Sequence, residues 1–357
     1  MPLLFSILIY AQGSNKSESN MVRLKRFVLI LFIILVILAI GLGSSFYLNS
    51  PSSYTGKVET ITFGDLSVDS SELVYVAQDQ HFFKENGINL TLKNFDTSGA
   101  AINSMIKNEV DITTSGEYPF VVNVLSNENI SVIGTMDNFQ AFYLIGNEDQ
   151  GIENIADLNG KNIGVVRQSL MEFYLGRFLD LHDLNIHNVS IVDVKPSQWV
   201  NAIANGTVDA IVVSQAYVSQ IQARLTNNIV IWQVQSDQLA YGIIFGRTNW
   251  INQHPELVNR FLKSLAQAED HLINHATIAK ATLQNHLNYS DAYLVEVWPN
   301  HKFSLSLDQS LVIAMEDEAR WMISNNLTNA TAAPNFLNYI YVDGLERVKP
   351  ESVNIIR

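Results

Sequence analysis

Ser169 and Glu172 stand three residues apart at the head of a run in which Leu170, Phe173, Tyr174, Phe178 and Leu179 recur at helical spacing. This S-x-x-E pattern predicts a capping box, in which the serine hydroxyl and the glutamate each satisfy a backbone N–H of the first turn. Just upstream, Asn159-Gly160 signals a turn and residues 161–166 a short buried strand. A strand that ends in a polar loop and enters a capped helix aims free N–H groups and the positive end of the helix dipole at the space beyond it. The chemistry on offer is recognition of an anion or a polar head, with Gln168 and Ser169 as the contacts. The same junction is purely structural in many α/β proteins.

Other chemically suggestive spacings are weaker. His271 and His275 have the i, i+4 spacing of metal ligands, but no third ligand and no H-E-x-x-H glutamate accompany them, so a solvated helix face is expected. Gly160-Lys161-Asn162 lacks the leading glycine and the Ser/Thr of a phosphate loop. Arg167 can neutralise an anion or pair with Asp157 or Glu172. Trp199 and Tyr217 read as core or rim, whereas Tyr241 is better placed for a cleft. No catalytic residue, metal ligand or cofactor is implied.

The elements that must position these residues alternate between strand and helix, as in α/β folds with mostly parallel sheets. Strands are expected at 59–63, 88–95, 110–113, 130–135 and 141–145, with helices at 71–83, 98–107 and 118–125. Polar loops at 64–71 and 114–117 follow strands and are candidate walls of a ligand site. The pattern restarts near Asp149 and returns through residues 239–245, after which only helices are expected, up to a tail at 339–348 that packs on the first lobe. Two crossings, near 146–151 and 241–246, predict two lobes that close on a ligand.

Composition narrows the class of function. The chain has 357 residues, 47% of them hydrophobic, enough for one large or two medium cores. It carries 22 basic and 35 acidic residues; without the first fifty residues the balance is 18 − 34 = −16. Such a body is a poor partner for nucleic acid. The absence of cysteine excludes disulfides, thiolate metal sites and a lipoprotein anchor.

Arg23, Lys25 and Arg26 precede an aliphatic run, so residues 1–26 read as cytoplasmic, 27–48 as a transmembrane anchor or signal segment, and 49–57 as a tether. Met21 is a second candidate start. The body divides into a first lobe at 58–148, a second at 149–240, and a return at 241–357. Seven N-x-[ST] triplets fit an exported body, although an Asn-rich chain makes them by chance.

The runs 81–88, 106–112, 155–164 and 202–210, in this order and spacing, resemble the solute-binding components of ABC importers. The branch resembled takes up nitrate, sulfonates, taurine and thiamine precursors. The resemblance implies a type II periplasmic-binding-protein-like fold, a ligand between the lobes, and as partners a membrane permease with its ATPase subunit. It implies Ser67 and Asp69 after the first strand, Ser115, Gly116 and Glu117 after the third, Gln168 and Ser169 at the second-lobe helix, and Ser214 and Gln215 facing them. Many relatives carry an acidic residue and proline where this chain has Gln215-Ala216, so the ligand class does not carry over. The function expected is capture of a small polar or anionic solute outside the cell by a monomeric, membrane-anchored protein. Two alternatives stay open: an enzyme like the fungal thiamine-pyrimidine synthase, whose cysteine-rich run is missing here, and a ligand-sensing ectodomain.

Overall fold

A computed structural model describes residues 54–226 and 228–356, together with Leu29. The expected anchor and most of the tether therefore lie outside the described residues. Among the described residues no helix is long and apolar enough to cross a membrane. The described body belongs to the unit Ser53–Arg357.

Two sheets form the frame. The first contains β1 (Glu59–Asp65), β2 (Ile88–Asn94), β3 (Ile112–Gly116), β4 (Ile130–Phe139), β10 (Ala240–Arg247) and β11 (His301–Ser306), in the order β11-β4-β10-β3-β1-β2. The second contains β5 (Phe142–Asn147), β6 (Asn162–Val165), β7 (Ser190–Asp193), β8 (Ala210–Ser214) and β9 (Ile229–Gln233), in the order β7-β6-β8-β5-β9. Central strands such as β8 (Ala-Ile-Val-Val-Ser) are buried in a continuous run. Coverage of a sheet on both faces requires such runs. The sheets are mixed, however, and not mostly parallel as expected, since β5 pairs antiparallel with β8 and β9, and β10 antiparallel with β3 and β4.

The chain crosses between sheets at Gln140–Ala141 and at Gln235–Leu239, not at the glycines that suggested hinges. Gly146 lies inside β5, which pairs with β8 and β9 of the second sheet. A Cβ there would meet Ile152 at 2.6 Å and Val230 at 2.9 Å, so this glycine serves close packing. Gly242 and Gly246 lie inside β10, between β3 and β4 of the first sheet. The two true crossings are joined by one buried side chain. Gln235 Oε1 accepts from the Ala141 and Phe142 N–H groups at 2.6 and 3.1 Å, and its Nε2 donates to the Phe139 and Gln238 carbonyls at 3.0 and 3.2 Å. Ser236 and Asp237 follow with left-handed φ of 46° and 64°.

The return segment is not wholly helical, because β11 interrupts it. His301-Lys-Phe-Ser-Leu-Ser alternates, burying Phe303 and Leu305, and pairs antiparallel with β4. The long amphipathic helix Pro255–Asn274 buries Leu257, Val258, Phe261, Leu262 and Leu265 on one face. The tail docks on the first lobe, with the Tyr341 N–H donating to the Val132 carbonyl at 2.8 Å.

Candidate ligand cleft between the lobes

At the second-lobe corner, Ser169 caps the helix Leu170–Asp180, accepting from the Met171 N–H at 3.2 Å while its hydroxyl donates to the Val166 carbonyl at 2.6 Å. The expected capping box is shifted by one residue. Glu172 reaches past Ser169 to accept from the Gln168 N–H at 2.7 Å, which left-handed Gln168 (φ 56°) presents to it. Arg167 pairs with Glu172, Nε to Oε1 at 3.0 Å, so the more ordinary of its two readings holds among the described contacts.

The structure brings this corner against the loop after β3. Leu170 packs on Gly116, where a Cβ would overlap its side chain. Ser115 Oγ donates to the Gly116 carbonyl at 2.6 Å. Glu117, almost fully buried, accepts from the Tyr241 N–H at 2.9 Å. Burial pushes its carboxyl up to about 8. Nearby Glu318, on the helix Gln309–Ser324, is raised well above the usual carboxylate range by burial and by the Glu117 charge. Around them Tyr118 stacks on Phe173 at 5.6 Å, and both rings meet Trp321 edge-on. This side of the junction is a seam between lobes.

Asp69 and Gln215 lie elsewhere. Tyr241 and Gly242 are consecutive in β10 and so address opposite faces of the sheet. Gly242 faces Ser70 and Asp137, whereas the Tyr241 side chain lies toward Ser310. On the Asp137 face, His301 is sandwiched between Phe139 and Phe303, ring centroids 5.4 and 5.3 Å away. Its Nδ1 lies 2.6 Å from Asp137 Oδ2 and its Nε2 lies 3.8 Å from Asp69 Oδ2. Burial alone would lower the imidazole, but the two carboxylates overcome it and raise its basicity. Ser70 Oγ donates to Asp137 Oδ2 at 3.1 Å, and Asp65 accepts from Ser71 Oγ at 2.6 Å and Tyr75 OH at 2.7 Å. The second lobe reaches this acidic cluster through Gln215, whose Nε2 donates to Glu296 at 3.0 Å and whose Oε1 accepts from Asn300 at 2.8 Å.

Of the sequence-derived candidates, Ser115, Gly116, Glu117 and Tyr241 thus meet one another, with Ser169 and Gln168 across the seam, while Asp69 and Gln215 belong to a separate acidic cluster. Ser67 is exposed with a left-handed φ of 53°, and Ser214 is half-buried at the end of β8, capping nothing. Sequence reasoning passed over Asp137, His301, Glu296, Glu318 and the Gln235 tie. Asp137 carried a signal, a carboxylate in the otherwise apolar strand Ile130–Phe139. Glu296 and Glu318 sit on helices and Gln235 in a turn, where a polar residue is unexceptional, and His301 opens the short strand β11. His271 and His275 stack on each other at 4.5 Å, and no group of acidic or His side chains among the described residues could hold a metal ion.

Comparison with known proteins places this architecture. The chain is 25% identical over 244 residues to a putative aliphatic sulfonates-binding protein of Bacillus subtilis, covering 67% of this chain and 72% of that protein. It superposes on the alkanesulfonate-binding protein SsuA from Xanthomonas axonopodis pv. citri with a TM-score of 0.70 at 15% identity, covering 81% of this chain and all of that one. The desulfurization enzyme DSZB shares the fold at a TM-score of 0.55 and 17% identity, over 81% of this chain and 99% of that one. A family profile described as NMT1/THI5 like matches residues 70–279, more than half of the chain. With two lobes joined by two crossings and an α/β binding-protein fold throughout, the chain belongs to the NMT1/THI5-like family.

Proposed function

We propose that this protein is the extracytoplasmic solute-binding component of an ABC importer, capturing a small polar solute between its lobes and delivering it to a membrane permease with its ATPase. One observation carries the reading. At the carboxyl ends of parallel strands of the two sheets, Gly116 at the end of β3 packs on Leu170 in the helix that follows β6, beside two crossings tied by Gln235. Ligands of open α/β sheets bind beyond such ends, and a pair of crossings is what a closing clamp needs. Aliphatic sulfonates enter as candidates through the named relatives, and nitrate, taurine and thiamine-type pyrimidines through the family resemblance. The segment 27–48 is proposed to anchor the protein, as a monomer, with the body outside the cytoplasm. Small-angle scattering against these solutes is expected to show a smaller radius of gyration with the cognate one. A solute that binds to saturation and leaves the radius unchanged would refute the clamp.

The Ser169 corner is proposed as the dock for the polar head of the ligand. Ser169→Ala is then expected to cost about 1 kcal/mol of stability through the lost cap and to weaken binding as well. Thr97→Ala is the matched control, because Thr97 caps the helix Ser98–Ile106 by accepting from Ala100 at 3.3 Å, far in sequence from the seam. Equal stability losses with full affinity in both variants would reduce Ser169 to scaffold.

A further inference from the structure

Resting on that binding-protein reading, the acidic cluster speaks to the class of solute. Among the described residues, ten buried side-chain polar atoms lack a hydrogen-bond partner, and five of them belong to four residues of this cluster: Asp69 Oδ1, both Glu72 oxygens, Asp137 Oδ1 and His301 Nε2. Buried polar groups are nearly always satisfied, so a concentration of this kind calls for a partner from outside the chain. Glu72 and Asp137 are completely buried, and four of the five orphan atoms are carboxyl oxygens. Groups of that kind call for N–H donors. No lysine or arginine pairs with Asp65, Asp69, Glu72 or Asp137 among the described ion pairs, and His301 is the sole base that does. The like charges of Asp69, Asp79 and Asp137, after burial itself, push Glu72 up to about 9, an excess of negative field that an incoming positive charge would relieve.

Its surroundings suit an organic ion better than a metal. No cluster here has metal-binding geometry among the described residues. Tyr289 and Tyr293 meet edge to face at 4.4 Å, Tyr289 lies beside Asp69, and Tyr293 lies within electrostatic reach of Glu296 and of Tyr217 from the second lobe. Aromatic faces beside carboxylates attract ammonium and amidinium groups. We infer that the cluster formed by Asp69, Glu72, Asp137 and His301, with Gln215 and Glu296 beside it, receives the positively charged head of a small organic cation carrying N–H donors. An anionic head such as a sulfonate would face these acidic groups with His301, itself paired with Asp69 and Asp137, as the sole base to meet it.

The test is thermal-shift and calorimetric titration of the full chain with benzamidine, putrescine, ethanesulfonate and nitrate, each at 10 mM and matched ionic strength. At least one of the two cations is expected to raise the melting temperature, and both anions to leave it unchanged. Asp69→Asn and Asp137→Asn, checked for folding by circular dichroism, are expected to weaken cation affinity at least tenfold. Two variants are used so that misfolding of one leaves the other to decide. A response to ethanesulfonate or nitrate alone, or silence toward both cations, overturns the cationic class. In either case scattering with the wider solute set still judges the binding-protein reading on its own. Cation binding that survives both substitutions overturns the location.

Discussion

Trp321→Ala is expected to lower the unfolding free energy by about 3 to 5 kcal/mol, the range for emptying a buried tryptophan site. Trp321 is 4% exposed, its ring lies against Gly176, and its Nε1–H donates to Asp180 at 3.2 Å. A Cβ on Gly176 would overlap that ring, so the glycine and the tryptophan form one contact across the seam. Tyr118 and Phe173 meet the same ring edge-on, adding to its area burial. Because Trp321 belongs to the return segment and its partners Gly176 and Phe173 to the second lobe, the loss joins cavity formation to loosened lobes. Urea denaturation measures the first and scattering the second. A change below about 1 kcal/mol would mean that the seam packs far less tightly than the geometry implies.

Stability is expected to fall as the solution is made alkaline, and the sign follows from three buried glutamates. Glu117, Glu318 and Glu72 all hold their protons to higher pH in the folded chain than in the unfolded one, first because burial disfavours the carboxylate. A carboxyl raised on folding contributes stability that is fully present below its unfolded value, near 4.5, and is lost as pH climbs through its folded value. The window therefore opens near pH 4.5 and closes near 8 for Glu117 and near 9 for Glu72. Within it, each retained proton costs about 1.4 kcal/mol per pH unit. His301, raised by its two carboxylates, acts in the same direction. The groups facing Glu117, namely Glu318, Tyr174 and Tyr241, supply no positive charge to offset this. Melting temperatures measured from pH 5 to pH 9 should decline, and Glu117→Gln should flatten the curve, since an amide keeps the bond from Tyr241 with no proton to lose. A curve that rises over this range would mean the carboxylates find partners when charged.

The unit from Asn159 to Leu179 was legible in the sequence almost residue by residue, because its signals are local: a turn pair, a β-branched run, a cap and a helical stripe. The strand Asn162–Val165 and the Ser169 cap appear where the spacing put them. Crossings were misplaced because glycine marks both bends and tight packing, and at Gly146 the close neighbours Ile152 and Val230 decide for packing. Strand β11 was passed over since six residues after Trp298-Pro299 carry too little period to stand out between long helices. The acidic cluster is assembled from Asp69, Asp137, Gln215, Glu296 and His301, which span more than two hundred positions. No local pattern encodes such a meeting. Family order and spacing supplied Asp69 and Gln215, but the neighbours that set their chemistry came only with the fold.

Strand β10 occupies the middle of the first sheet, with β3 on one side and β4 on the other. On a ribosome, β1 to β4 emerge first; β1 can pair with β2 and β3, but β3 and β4 have no shared partner until residue 247 has left the exit tunnel. The second lobe, one uninterrupted stretch from Phe142 to Gln233, can complete its sheet during that wait. The first lobe meanwhile presents two unfilled edges, which is where strand-edge aggregation starts. Its pairings are also distant in sequence, the kind that slows folding. Synthesis of this chain therefore finishes the later lobe before the earlier one, and its exposure to chaperones should be greatest in nascent chains that end between β4 and β10.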